Sequence, residues 1–547
     1  MQIKTGRKTI GRESGAVQIL WALSLGFLLL FIVYPLVRVL SAADMGSWRQ
    51  VLASSRWLNA SAHTLTLALL STFFSVLTGF IYAYAVVRGG IPFVKFFSFI
   101  PILHLVTPPF VGGLSFILLF GRQGLFTKGL FHADISLYGL PGLLIAQTLC
   151  FFPIAFMIIK GAFEGINPSL EYAARDAGAG RFRVFRTITL PLALPGLASA
   201  LLFIAISVLS DFGNPMLIGG RYNVLAVELY TQLTGWTNAG TSAVLGIILL
   251  IPAFILFVLQ RIALNKNGLR LATIGSRGSS LDMPLPSMPV RVLLFLFCGL
   301  IAFVVAAQFF AVLAGAFSRI WGVDPGFTIE HLKAAFNYKS ELLNTLIFAL
   351  LAAAGTAAFA ALLSFFVLRT DLPFRKTVDS VVMVPAAIPG SLIGLAFVLA
   401  FNGSFLHLTG TRIIIVLVMI VCDLPAAYRI LLSSLMRIRS TLDDSARALG
   451  ASRLRLFFTV ICPLTVRGIV SAFVFTFVRA SGTLSAVIFL MSFTTKLTSV
   501  VILNLAAQGD WGRSAALALI LTAAIFVSLG LLRLAAGKQS FQEILER

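Results

Sequence analysis

Residues 171–191 read EYAARDAGAGRFRVFRTITLP, and residues 443–463 read DDSARALGASRLRLFFTVICP. The second stretch lies 272 positions after the first and repeats it in step. Ala174, Arg175, Gly178, Ala179, Arg181, Arg183, Phe185 and Pro191 return as Ala446, Arg447, Gly450, Ala451, Arg453, Arg455, Phe457 and Pro463. Both are polar islands in a chain that is 59% hydrophobic and 11% charged. A soluble chain carries about a quarter charged residues. A duplicated polar patch on so apolar a chain is a candidate grip for a soluble partner.

Around the islands, apolar residues come in runs of roughly 20, the length of helix that crosses a bilayer. Backbone polar groups in lipid must be satisfied internally, so the runs read as helices, and the weak alternation of a barrel is absent. Twelve spans are expected, near 17–40, 61–87, 96–120, 142–160, 191–210, 241–260, 291–316, 343–368, 378–401, 412–434, 464–490 and 514–533. The first is too long for a signal-peptide core and no small-residue cleavage site follows it, so it reads as a retained helix.

The net charge of +22 is unevenly spread. Most Lys and Arg fall in or beside segments on one side of the expected topology, including Lys4, Arg7, Lys8, Arg12, Arg88 and Lys95. The positive-inside rule then puts both termini in the cytoplasm. Topology and contact with anionic lipid account for the charge, and nucleic acid is excluded as a partner.

The repeat is wider than the islands. LNASAHTLTLALL at 58–70 faces LLNTLIFALL at 342–351, and VVRGGIPF at 86–93 faces VLRTDLPF at 367–374, aligning Arg88 with Arg369. Each half has six spans, an even number, so the halves are parallel repeats, and a pathway is expected on the axis between them. The expected divisions are a cytoplasmic N-terminus (1–16), a first transmembrane domain (17–260, with its polar loop at 161–190), a linker (261–290), a second transmembrane domain (291–533, loop 435–463) and a cytoplasmic C-terminus (534–547). The linker is rich in Gly, Ser, Pro and basic residues.

Catalytic chemistry is missing. There is no GxxxxGK[ST] phosphate loop and no nucleophile–base constellation. Cys150, Cys298, Cys422 and Cys462 have no metal-ligand spacing and suggest no disulfide framework. Glu171, Asp443 and Asp444 sit where a helix starts, which carboxylates favour for electrostatic reasons.

Each island contains the signals of one short helix. Asn167-Pro168 reads as an N-cap and first helical residue. In the second copy Ser440 or Thr441 is the expected cap, with Asp443 or Asp444 completing a variant capping box. Gly178 and Gly450 supply left-handed stops. Leu170, Ala173, Ala174 and Ala177 can share one face, as can Leu442, Ser445, Ala446 and Leu449. A helix of about ten residues is too short to stand alone in water, so it must dock on something. A second short basic helix is expected after each, ending at Pro191 and Pro463, with Phe185 or Phe457 packed back on the membrane domain.

The acid–Ala–Ala…Gly…Leu-Pro pattern, placed before the fifth span of each half, resembles the coupling motif of type I ABC importer permeases. That resemblance implies an all-α polytopic membrane fold of two pseudo-symmetric six-helix halves. It implies short helices seated in grooves on two ATP-binding subunits, read as a homodimer, whose closure rocks the halves. ATP and Mg would be bound there, with no cofactor on this chain, and a periplasmic binding protein would deliver the solute. Carried over by position, the coupling residues are Glu171, Ala173, Ala174 and Gly178 in the first copy and Asp444, Ser445, Ala446 and Gly450 in the second. Two departures stand out: Tyr172 fills the usual acidic position of the first copy, and Cys462 precedes Pro463 where leucine is usual.

The fused layout and the stretch SDFGNPMLIGG at 210–220 resemble the ferric iron and 2-aminoethylphosphonate branches of that family. Charge within a membrane is costly, so Asp211, Asn214, Asp423, Arg429 and Arg479 are candidates for the solute path, with interhelical pairing as the plainer reading. His104 lies in a Pro-interrupted third span, and Pro101, Pro108, Pro109, Pro385 and Pro389 are expected to kink the third and ninth spans. A twelve-span secondary transporter is the competing class. The position of the strongest repeated motif, between spans four and five of each half, speaks against it.

Overall fold

The computed structural model describes residues 15–130, 132, 137–274, 286–403 and 406–536. The two ends of the expected N- and C-terminal segments, and 275–285 of the expected linker, lie outside them. Among the described residues ten helices are long and apolar enough to cross a membrane: Gly15–Ala42, Ser55–Val87, Leu140–Glu164, Arg181–Leu209, Ala239–Ile262, Met288–Phe317, Glu330–Arg369, Arg412–Met436, Arg453–Ser481 and Trp511–Leu532. The first part of the expected linker is helix as well, because the sixth span continues to Ile274.

The third and ninth expected spans are broken rather than kinked. Val94–Val106 gives way to Pro109–Phe120, and Arg375–Val382 passes through a 3-10 turn into Gly390–Phe401, the two arms meeting at 111°. Each break has the same cause. Proline pushes the residue before it out of the helical region. Thr107 (ψ 141°) precedes Pro108, and Ile388 (ψ 126°) precedes Pro389. The helices also enter alike, from Phe93 and Phe374 in the left-handed region.

Proline acts differently at Pro35, Pro191 and Pro463. Each follows a π turn, at Leu29–Val33, Phe185–Thr189 and Phe457–Ile461. Proline has no N–H for the carbonyl four residues back and its ring crowds that carbonyl. A wider turn relieves both conflicts and lets the helix continue. The separate basic helices expected before Pro191 and Pro463 are therefore the first turns of the fifth and eleventh spans.

Within each half the second span packs along the fourth, and the fifth crosses both. Small buried residues stand at helical spacing along both second spans: Ala68, Thr72, Ser75, Gly79 and Ala83 in the first half, and Ala349, Ala353, Thr356 and Ala360 in the second. Lipid offers no hydrophobic drive between helices, so close backbone approach supplies the attraction. A Cβ on Gly79 would lie 2.6 Å from the Ala155 Cβ and 2.8 Å from the Phe156 nitrogen. Gly79→Ala is therefore expected to destabilise the first bundle by about 1–3 kcal/mol, measurable as a lower melting temperature in detergent.

The first spans are exchanged between halves. Trp21 Nε1 donates to the Pro373 carbonyl (3.1 Å), and Phe27 meets Phe359 at 4.7 Å. Reciprocally, Arg291 Nε and Nη2 donate to the Gly90 carbonyl (3.0 and 2.6 Å), and Phe97 meets Phe295 at 5.7 Å. Each half thus lends its first helix to the turn between the second and third spans of the other.

Candidate functional site

Both islands form the expected short helix, Pro168–Asp176 and Thr441–Ala448. Gly178 (φ +86°) and Gly450 (φ +83°) end them in the left-handed conformation. The Ala179 N–H reaches the Ala174 carbonyl (2.9 Å), as the Ala451 N–H reaches that of Ala446 (3.0 Å). This closes orphaned carbonyls at each end. Asn167 caps the first helix by accepting from the Ser169 N–H (3.0 Å). The second start differs from expectation: Ser440 makes no side-chain cap bond, and Asp443 is turned away from the helix end toward Arg369.

That turn reveals a duplicated clamp. Arg88, at the end of the second span, pairs with Glu171 (3.1 Å) and donates to the carbonyls of Phe163 (3.0 Å) and Ile166 (3.1 Å) at the end of the fourth. Arg369, at the end of the eighth span, pairs with Asp443 (2.8 Å) and donates to the carbonyls of Leu435 (3.1 Å) and Ile438 (2.6 Å). Every partner corresponds by position. One guanidinium therefore ties three elements together: the second span, the fourth span and the short helix. A planar fork of donors suits this task, which a lysine ammonium could not reproduce.

The clamps hold one face of each short helix and leave the other bare. Leu170, Ala173, Ala177 and Gly178 are exposed, as are Leu442, Asp444, Ser445, Leu449 and Gly450. Ala174 and Ala446 are half-buried at the edge of each face. Leu449 is 89% exposed, far more than its apolar side chain favours without a cover. Phe185 packs against Tyr84 (5.5 Å) and Phe457 against Phe365 (5.1 Å), anchoring the following turn as expected.

The path candidates fall into two separate groups. Asp211 accepts from Gln147 Nε2 (2.9 Å) and Asn214 Nδ2 (2.8 Å) in the first half. Asp423 pairs with Arg479 (2.9 Å) in the second. Arg429 is exposed on the tenth span and joins neither group. The first group ties the fourth span to the segment just past the fifth, and the second joins the tenth and eleventh spans, so pairing within each half accounts for four of the five residues. Removing the two ends of the second pair should not be equivalent. Arg479→Leu strands a buried carboxylate and is expected to cost about 3 kcal/mol. Asp423→Asn frees a half-exposed guanidinium to water and should cost under about 1 kcal/mol. Melting temperatures of the two variants compare them directly.

At the end of the molecule remote from the short helices, an open cavity of about 820 Å³ is lined by Arg122, Tyr138, Arg221, Tyr222, Trp321 and Trp511, among others. None of the path candidates lines it. Among the described residues no group of His, Cys, Asp or Glu could hold a metal ion.

Four residues central to this geometry were not among the expected coupling or path residues: Arg88, Arg369, Asp443 and Thr189, whose hydroxyl donates to Glu171 (2.8 Å). The alignment of Arg88 with Arg369 was the available signal. Asp443, not Asp444, is the counterpart of Glu171, so the contrast between Tyr172 and Asp444 does not bear on the paired acid.

Parallel helical halves, each bearing a clamped short helix with an uncovered face, define a duplicated membrane permease scaffold. The chain belongs to the family of binding-protein-dependent transport system inner membrane components, whose pattern matches residues 75–266 and again 354–539. Each match contains one of the short helices, and the protein is a multi-pass inner-membrane protein. It is 34% identical over 431 residues to the ferric transport system permease protein FbpB of Actinobacillus pleuropneumoniae, covering 76% of this chain and 62% of that one. A putative ferric transport system permease protein FbpB 1 of Haemophilus influenzae is 34% identical over 419 residues, covering 74% of this chain and 65% of that one. The chain therefore spans somewhat less than two thirds of those relatives. The molybdenum transport system permease protein ModB of Escherichia coli is 30% identical over 228 residues, which are 40% of this chain and 99% of ModB. A bacterial alginate ABC transporter in complex with a pentasaccharide-bound periplasmic protein matches 48% of this chain at 19% identity and a TM-score of 0.39, too low to bear on the fold.

Proposed function

We propose that this chain is the permease of an ATP-driven importer and that its cargo is ferric iron. The observation that carries the mechanism is the pair of short helices, each fixed on one side by a buried arginine and bare on the other. A bare apolar face of that size suits a groove on a partner. The clamp passes any push on that face directly into the second and fourth spans. The reading places both short helices and both termini in the cytoplasm, with ATP and Mg on two partner subunits and a binding protein on the opposite side. This chain itself performs no hydrolysis. The relatives named for ferric transport support the choice of cargo.

Reconstitution tests both parts. Vesicles holding this chain with its ATP-binding subunits and binding protein should accumulate radioactive ferric iron only when ATP is supplied. Accumulation of 2-aminoethylphosphonate instead would overturn the cargo. Uptake driven by an ion gradient without ATP would overturn the class.

A further inference from the structure

We propose that the two clamps are deliberately unequal, and that the Arg369–Asp443 clamp is the one that opens during transport, with Thr189 and Ile461 setting the difference. The inference rests on the reading of the short helices as docking helices.

The first clamp satisfies its carboxylate on both oxygens. Glu171 takes Arg88 on Oε2 and the Thr189 hydroxyl on Oε1. The second satisfies only one. Asp443 takes Arg369 on Oδ2, while its Oδ1 is buried with no partner. Two positions differ: Asp443 is one methylene shorter than Glu171, and Ile461 stands in the place of Thr189. Thr189 and Ile461 both close the matching π turn and both are buried, but isoleucine has no hydroxyl to give. A buried acceptor without a donor weakens the state that buries it, because opening returns that atom to water.

Two further differences point the same way. The first docking helix has its Asn167 cap and the second has no side-chain cap at Ser440. The side chains of the first pair are 3% and 5% exposed, those of the second 9% and 13%. Two observations favour the second half: Arg88 Nε is buried with no hydrogen-bond partner, and Arg453 donates to the Arg369 carbonyl. That bond steadies the end of the eighth span and leaves the Asp443 oxygen unpaired all the same.

Unequal clamps give a pseudo-symmetric machine an order of events. When the partner subunits pull on both helices, the clamp whose carboxylate is half-satisfied and more exposed, and whose helix is uncapped, yields first. The helix 441–448 then shifts relative to its spans while 168–176 still moves with its own as a rigid body. Arg88 and Arg369 act here as positioning residues, since neither touches the solute.

Amide hydrogen exchange on the full chain in nanodiscs, alone and with its ATP-binding subunits, tests this. Residues 441–448 should exchange roughly tenfold faster than 168–176, the scale set by one buried hydrogen bond. Ile461→Thr should slow 441–448 toward the rate of 168–176 and slow solute turnover. Thr189→Val, which is nearly isosteric and keeps the packing, should quicken exchange in 168–176 instead. A merely structural role would lower the melting temperature without exchanging the order of the two helices. Equal rates in the unmodified chain, or rates unmoved by both substitutions, would overturn the proposal. If the rates differ as expected but the ATP-binding subunits do not bind, the docking reading fails, and with it the assignment of the second clamp as the one that opens in transport.

Discussion

A chain carrying both Gly178→Asp and Gly450→Asp is expected to lose uptake completely while staying in the membrane at its normal level. Both glycines sit at positive φ, where a side chain costs about 1 kcal/mol even for aspartate. A Cβ at either position meets nothing within 4 Å, so packing inside this chain is not disturbed. The damage falls on the outer surface. Each aspartate puts a negative charge at the negative end of a helix dipole, at the C-terminal edge of the bare face. A charge buried there without a partner weakens docking by on the order of 3 kcal/mol, or about a hundredfold. Gly178→Ala with Gly450→Ala carries only the conformational cost and should retain most uptake. Co-purification of the ATP-binding subunit and an immunoblot of the membrane fraction separate lost docking from lost protein. Normal import by the double aspartate variant would show that these helices are not the coupling contact.

Arg88→Leu is expected to be the most destabilising single substitution at the site, at about 3–5 kcal/mol. It strands the Glu171 carboxylate in a buried setting and leaves the Phe163 and Ile166 carbonyls without their donor. Adding Glu171→Leu removes the stranded charge, so the double variant should be more stable than Arg88→Leu alone. Such non-additivity is the signature of a buried pair. Arg369→Leu should follow the same pattern less strongly, because its clamp is less buried. Thermal unfolding in detergent gives the comparison. If the double variant were as unstable as the single, the clamp would owe its strength to packing of the arginine stem and not to charge.

The short helices were legible because their start and stop signals are local. Asn167, Pro168, Gly178 and Gly450 do in the structure what their chemistry dictates. The clamps were half-legible. Arg88 and Arg369 aligned, but a basic residue at a span end expected to face the cytoplasm already has an explanation in topology, and that explanation hid the burial. Asp443 was passed over because the resemblance favoured the acid next to it. Pro191 and Pro463 misled for a physical reason: proline signals a helix end, and a π turn removes the conflict without leaving a mark in composition. At Pro108 and Pro389 the opposite error occurred, since a kink and a break share one residue type. The exchange of first spans could not be read at all. Residues 17–40 and 291–316 are apolar apart from a few residues such as Gln18, Arg38, Arg291 and Gln308, and hydropathy does not say which neighbour a helix chooses.

That exchange has a consequence for how the protein is made. Trp21 must wait for an acceptor that lies 352 residues further along the chain. At ribosomal speeds of about 5–20 residues per second, the first helix sits in the bilayer for about 20–70 s before its seat exists. The first half cannot finish assembling during that interval, however much of it has been inserted. A ribosome that stalls midway therefore leaves a half-permease with an unclaimed helix, a species that membrane quality control could recognise by that helix alone.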